Sequence, residues 1–333
     1  DLQTPRSELQ AELKSWANLA RHSFTGQARQ DFDDAFEEIL EFVSEPHKAK
    51  SAAVFCRWGE YPFCLPISFG VPMQSSFHVQ SLPVIYPLVE LKDRFNRFVL
   101  VVTTSEHAQI FEISLGEVSE SLLTERPELR QRLGREWTRE HYQNHRKHRH
   151  VQFLKEKVAV IDRLMAKRGH NSLVLAGEPR FINRLRKNLP KHLQDRIAGE
   201  IRAGVRSSHL PEVIEQAIES FLAEESRESL DAVRRLDEAV RSGGLGVVGV
   251  LPTLNALNAG QGDLLILSAA LPEGDREELV RAAARTDTKV ETVGKSDLLE
   301  RNGGVGCLLR YLIPGLMELS LSPESDLPET TSK

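Results

Sequence analysis

The feature that most constrains the fold is the alternation of short, strand-like apolar runs with longer segments of helical spacing. Phe98–Thr104 is rich in β-branched residues and almost continuously apolar, which is typical of a strand buried on both faces. Ser172–Ala176 and Asp263–Ser268 have the same character, and residues 211–241 carry the spacing of a long amphipathic helix. Because this alternation builds three-layer α/β sandwiches, the sequence predicts an α/β protein.

The N-terminal part of the chain has a different pattern. Residues 7–45 carry two apolar stripes at helical spacing, and residues 52–56 and 61–69 read as two strands joined by a turn. Residues 77–86 are expected to be a further extended stretch. We therefore predict three domains and a tail: an α+β domain at 1–90, a middle domain at 91–208, a C-terminal α/β domain at 211–320, and a flexible tail at 321–333.

Composition narrows the classes of protein that this chain can belong to. The formal net charge is −5, so any contact with RNA must come from a local basic surface. The three cysteines form no Cys-x-x-Cys pair, which predicts reduced thiols buried as small hydrophobic residues. There is no apolar run long enough to span a bilayer, and the first residues do not resemble a signal peptide. We therefore expect a cytoplasmic protein.

The most unusual local composition lies between residues 135 and 157. The segment contains two aromatic residues, Trp137 and Tyr142, and seven basic ones: Arg135, Arg139, Arg146, Lys147, Arg149, Lys155 and Lys157. On a protruding helix, basic side chains can bind phosphates, and aromatic side chains beside them can stack on bases. Two other interpretations stay open. His141, His145 and His148 have a spacing that can bind a metal, and the segment could also be a solvated helix face without a partner.

The glycine-rich stretch at 243–249 predicts no cofactor. Gly244, Gly246 and Gly249 have the spacing of a dinucleotide-binding fingerprint. They follow a long helix, however, whereas the fingerprint requires a preceding strand that aims the pyrophosphate at a helix N-terminus. The chain also contains no phosphate-binding loop, nucleophile elbow or zinc-protease motif.

Several motifs occur in the order that is typical of one family. The runs 246–249, 254–257, 262–268 and 303–311 resemble the third domain of archaeal and eukaryotic peptide-chain release factors and of Pelota. Ala176–Pro179, with the hairpin at 98–116, resembles the middle domain of the same group. The resemblance covers about 90–315 and implies middle and C-terminal three-layer sandwiches like release-factor domains 2 and 3. The first domain looks more similar to that of the bacterial relatives of this group than to the eukaryotic decoding domain.

The sequence departs from this family at the catalytic motif. Release factors carry Gly-Gly-Gln just before the basic helix of the middle domain, and no Gly-Gly-Gln occurs in this chain. Alignment of that helix places Arg135-Glu136-Trp137 over the motif. These residues provide neither the backbone freedom of two glycines nor the amide that orients the attacking water. Gln143 lies nearby, but on the predicted helix.

The resemblance therefore implies a ribosome-binding translation factor that lacks peptidyl-tRNA hydrolysis, as in ribosome rescue or hibernation. Its implied partners are the ribosome, through rRNA or tRNA, and a translational GTPase. The expected RNA-binding residues are Arg135, Trp137, Arg139, Tyr142, Arg146, Lys147 and Arg149. Two alternatives stay open: a divergent peptidyl-tRNA hydrolase that uses Gln143 or a histidine, and a protein-interaction module without an RNA partner.

Overall fold

The chain, in a computed structural model that describes residues 1–104, 107–125, 154–167, 169–203 and 210–311, forms two compact units. One unit combines Asp1–Val84 with Phe95–Glu224, and the other combines Ile85–Arg94 with the chain from Glu225 onward. The mixed α/β class predicted from the sequence is confirmed. The boundaries of the three predicted domains stay a prediction.

Two helices and a hairpin form the N-terminal segment. Its elements are α1 (Arg6–Arg21), α2 (Gly26–Ser44), β1 (Ser51–Arg57) and β2 (Phe63–Phe69). The two apolar stripes recognised in the sequence meet in a small core around Leu9, Leu13 and Val43. The strands pair in antiparallel fashion, as predicted.

The prediction of three reduced, buried cysteines is wrong for two of them. Cys56 and Cys64 lie directly opposite each other on β1 and β2, with their Cα atoms 4.1 Å apart, and form a disulfide. The sequence reasoning missed this pair because it considered only closely spaced cysteines, whereas a hairpin brings distant positions face to face. The prediction is confirmed for Cys307, which is buried. Burial raises the pKa of its thiol to about 12.

The extended stretch expected at 77–86 forms no strand, and a short helix begins at its last residue. This helix, α3 (Tyr86–Arg94), has Pro87 in its first turn. Proline is tolerated there because the first helical N–H groups have no partner within the helix. The predicted domain boundary at residue 90 falls within this helix.

The middle sheet has five strands in the order β5-β4-β3-β6-β7. They are β3 (Phe98–Thr103), β4 (His107–Ser114), β5 (Glu117–Glu125), β6 (Ser172–Gly177) and β7 (Ile197–Arg202). All six residues of β3 are buried, which confirms the strand predicted from its continuous apolar character. The β4–β5 turn at Leu115 and Gly116 has positive φ at both positions, as a tight hairpin requires.

Helices cover both faces of this sheet. On one face lie α4 (residues 154–167), α5 (Pro179–Asn188) and α6 (Lys191–Gln194), which pack around Ile161, Leu185 and Leu193. The first part of α7 (Leu210–Arg241) covers the other face with Val213, Ala217 and Phe221. The predicted three-layer sandwich is therefore confirmed for the middle region.

The second unit contains a four-stranded sheet in the order β10-β9-β11-β8. Its elements are β8 (Gly246–Val248), α8 (Val250–Asn258), β9 (Gly262–Ser268), α9 (Glu273–Arg285), β10 (Lys289–Val293), α10 (Asp297–Arg301) and β11 (Val305–Leu309). Residues of α3, α8 and α9 pack on one face, and residues of the second part of α7 and of α10 on the other. This is the second predicted three-layer sandwich. None of the described helices is long and apolar enough to cross a bilayer.

Helix α3 is held on the second unit by side chains at both of its ends. The backbone N–H groups of Ile85 and Tyr86 donate to the carboxylate of Glu277, at 3.1 and 2.6 Å. At the other end, Asp93 Oδ2 accepts hydrogen bonds from the backbone N and the Oγ1 of Thr292, at 2.6 and 2.7 Å. Thr292 lies on β10, an edge strand, so Asp93 occupies a backbone donor that would otherwise face an open edge.

Candidate nucleic-acid interface

The predicted RNA-binding residues lie outside the described residues. They are Arg135, Trp137, Arg139, Tyr142, Arg146, Lys147 and Arg149, and the same is true of Gln143 and of His141, His145 and His148. Within the described part of the chain, no group of three or more His, Cys, Asp or Glu residues could hold a metal ion. The interface is therefore built below from the residues that flank the basic segment.

The described residues just before the basic segment and those just after it lie at one edge of the middle sheet. Glu125, the last residue of β5, pairs with His107 at the start of β4, and Ala108 pairs with Thr103 at the end of β3. The parallel strands β6 and β7 also end at this edge, at Gly177 and Arg202. The carboxyl ends of parallel strands are where open α/β sheets bind their ligands. The residues on either side of the basic segment therefore lie at the edge of the sheet where ligand binding is expected.

Lys157 fixes the described start of α4 to this edge. Its Nζ donates to Thr103 Oγ1 at 3.0 Å and lies 3.5 Å from the carbonyl oxygen of Thr104. The residue is only 3% exposed, which corrects its interpretation as one of the exposed basic residues of the segment. Burial lowers the pKa of its amine to about 8 because the charged form is poorly solvated. Lys157 therefore anchors the helix and is not available to bind phosphate directly.

Gly177 allows two strands to end close together at the same edge. Its φ is +143°, a conformation that only glycine adopts readily, and a Cβ atom here would lie 2.3 Å from the carbonyl oxygen of Thr103. The following residues, Glu178 and Pro179, turn the chain directly into α5. The Gly-Glu-Pro turn recognised in the sequence thus places a helix N-terminus at the carboxyl edge of the sheet.

The helical layer beside this edge is strongly basic. Between residues 154 and 196 the sequence has eleven Lys and Arg residues and four Asp and Glu residues, in a chain whose net charge is −5. Several of the basic residues project from α5, including Arg184 and Lys187, which are exposed. Sequence reasoning missed this surface because the charges are spread through apolar residues, although their spacing of three and four was a usable signal.

A buried polar pair lies at the opposite end of the same sheet. His170 Nε2 and Glu112 Oε1 are 3.2 Å apart, and both side chains are almost completely buried. His170 follows the C-terminal end of α4, and its backbone N–H donates to the carbonyl of Met165 at 3.1 Å. The pair therefore connects the far end of α4 to β4, and it lies away from the candidate interface.

Comparison with known proteins shows which family the middle region resembles. Residues 83–221 match the family model described as bacterial archaeo-eukaryotic release factor family 10. This match covers the five-stranded sheet, the edge described above and the basic helices. The similarity to this family extends over less than half of the 333 residues. No curated protein matches this chain.

Solved structures of archaeal and eukaryotic factors resemble this chain at low identity. The archaeal translation termination factor aRF1 is 18% identical, with 92% of this chain and 89% of that chain covered and a TM-score of 0.29. Dom34 of S. cerevisiae, a translation termination-like factor, is 12% identical, with 77% and 73% covered and a TM-score of 0.46. Archaeal Pelota, in a model of its ribosome-bound form with ABCE1, is 17% identical, with 65% and 62% covered and a TM-score of 0.47.

Proposed function

We propose that this chain is a cytoplasmic ribosome-binding translation factor that does not hydrolyse peptidyl-tRNA. The observation that carries the proposal is the family match over residues 83–221 in a chain without a Gly-Gly-Gln sequence. Arg135-Glu136-Trp137, which stand at the position of that motif, have no side-chain amide and no glycine. Such a factor would act by occupying the ribosome, as in rescue of stalled ribosomes or in hibernation.

The basic segment is the proposed contact with rRNA or with the end of a tRNA. Its arginines and its lysine would pair with phosphates, while Trp137 and Tyr142 would stack on bases. The position of the flanking residues supports this proposal, because Glu125 and the Lys157 anchor lie at the carboxyl edge of the sheet. A translational GTPase is the proposed delivery partner. Dom34, which interacts with Hbs1, provides the parallel.

Charge reversal in the segment tests the ribosome contact. We expect Arg146→Glu with Arg149→Glu to weaken co-sedimentation with ribosomes by roughly ten-fold or more, because two phosphate contacts become repulsive. The matched control reverses two exposed arginines of the N-terminal helices, Arg6→Glu with Arg29→Glu, and should leave binding unchanged. Equal binding by the wild type and both variants would contradict the proposed contact.

A peptide-release assay on stalled ribosomal complexes tests the absence of hydrolysis. We expect no release above background from the wild-type chain, since no residue of the segment combines a flexible backbone with a free amide. Release that is abolished by Gln143→Ala would instead establish the divergent hydrolase. Sucrose-gradient profiles from growing and starved cells then separate rescue from hibernation, since a hibernation factor accumulates on ribosomes in starvation.

A further inference from the structure

Helix α5 presents a cationic ridge, defined as Arg180, Arg184 and Lys187, on its outer surface. These residues are spaced by four and three, so they lie on one side of the helix. Ile182 and Leu185 are buried against the sheet on the other side, at 1% and 0% exposure. The ridge is therefore fixed outward by the packing of α5, and it is separate in sequence from the basic segment at 135–149.

Neighbouring acidic groups neutralise the ridge only at one end. Arg180 Nε lies 2.7 Å from Glu178 Oε2, and the guanidinium also packs over the Phe181 ring at 4.5 Å. Arg186, on the flank of the helix, pairs with Glu200 at 3.3 Å. For Arg184 and Lys187, the described parts of the chain contain no carboxylate within ion-pair distance. Within the described residues, two adjacent positive charges of the ridge therefore have no carboxylate partner, on a chain whose net charge is −5.

The chemistry of the surface favours a phosphate backbone over a protein or a membrane as the occupant. Protein interfaces are centred on apolar and aromatic anchors, and membrane-surface helices insert apolar side chains. Of the large exposed hydrophobic side chains among the described residues, none lies on α4, α5 or α6. Consecutive ridge residues are about 4–6 Å apart along the helix, so they can reach neighbouring phosphates of a nucleic acid.

We propose that the cationic ridge of α5 binds the sugar–phosphate backbone of an RNA helix, as a second contact beside the basic segment. The inference deepens the proposed function and rests on it, because rRNA or tRNA would supply the duplex. Arg184 and Lys187 carry the contact as charges that pair with phosphates. Arg180 contributes when its guanidinium exchanges Glu178 for a phosphate oxygen. Such contacts set orientation and do not read sequence.

Removal of the two unpaired charges tests the ridge. The probes are purified ribosomes and an RNA duplex of roughly 20 base pairs with an unrelated sequence, long enough to span more than one groove. For Arg184→Gln with Lys187→Gln, we expect roughly ten-fold weaker binding at low salt. The slope of log affinity against log salt should also fall by roughly one for each lost contact. The exchange of Arg184→Lys with Lys187→Arg, which keeps both charges, should retain binding.

The matched control removes one exposed arginine and one exposed lysine elsewhere, Arg29→Gln with Lys14→Gln, and should leave the salt slope unchanged. An unchanged slope in the ridge variant, while Arg146→Glu with Arg149→Glu weakens ribosome binding as predicted above, overturns the ridge and leaves the proposed function standing. Wild-type protein that binds no ribosomes overturns the proposed function itself. If the ridge charges support binding to vesicles of anionic lipid but not to the RNA duplex, the ligand of the ridge is a lipid surface, and the inference is overturned.

Discussion

Substitution of Gly177 by alanine is expected to lower the free energy of unfolding by roughly 3–5 kcal/mol, the combined effect of backbone strain and a steric clash. The residue has φ +143°, and the new Cβ would lie 2.3 Å from the carbonyl oxygen of Thr103. That atom belongs to the backbone of a central strand, so it cannot rotate away as a flexible side chain could. Chemical denaturation monitored by circular dichroism measures the loss.

Gly169→Ala provides the matched control for this prediction. Gly169 also has a positive φ, +68°, but apart from its neighbours in the chain no atom of the described residues lies within 4 Å of the position that its Cβ would occupy. The left-handed conformation alone costs about 1–2 kcal/mol. Equal free energies of unfolding for the two alanine variants would contradict the prediction. They would mean that the backbone of Gly177 does not approach Thr103 as closely as described for this edge of the sheet.

The buried amine of Lys157 is expected to make the stability of the fold rise with pH above about 8. The pKa of the folded state is lowered to about 8 from the ordinary value of 10.5. Between these values the unfolded chain holds the proton and the folded chain has released it, so rising pH favours the folded state. From pH 7 to pH 10 this one group should add roughly 2.5 kcal/mol to the free energy of unfolding.

Lys157→Met isolates the contribution of this amine, because methionine fills a similar volume without a charge. Denaturation at pH 7 and at pH 10 measures the free energy of unfolding of both proteins. From pH 7 to pH 10 this free energy should rise by roughly 2.5 kcal/mol more for the wild type than for the variant. Other titrating groups contribute equally to both proteins and cancel. The control is Lys155→Met, an exposed position two residues earlier, for which the difference should be independent of pH. A pH-independent difference for Lys157→Met would contradict the burial of the amine.

The parts of the fold that local pattern determines were predicted from the sequence. The continuous apolar character of Phe98–Val102 predicted a fully buried strand, and the apolar spacing at 211–241 predicted the long helix α7. Helix α3 was not predicted, because only an extended stretch at 77–86, and no helical spacing after it, was recognised in the sequence. Its helical state depends on Glu277 and Thr292, which are remote in sequence and which no local pattern can reveal.

The candidate interface was predictable only in part for the same reason. The density of charge at 135–149 is a local property and was found, although that segment lies outside the described residues. The burial of Lys157 depends on Thr103, 54 residues earlier, so sequence alone could not separate it from exposed lysines. The ridge on α5 becomes a surface only when the sheet buries Ile182 and Leu185 on the other side of the helix.

The long-range attachment of α3 has a consequence for how the protein is made. The hydrogen bonds at its two ends join residues that are between 191 and 199 positions apart. At a synthesis rate of about 5–20 residues per second, α3 leaves the ribosome roughly 10–40 seconds before its binding partners exist. During that interval the apolar side chains of this segment, such as Tyr86 and Val89, have no core to pack against. The second unit can be completed only when nearly the whole chain has been translated.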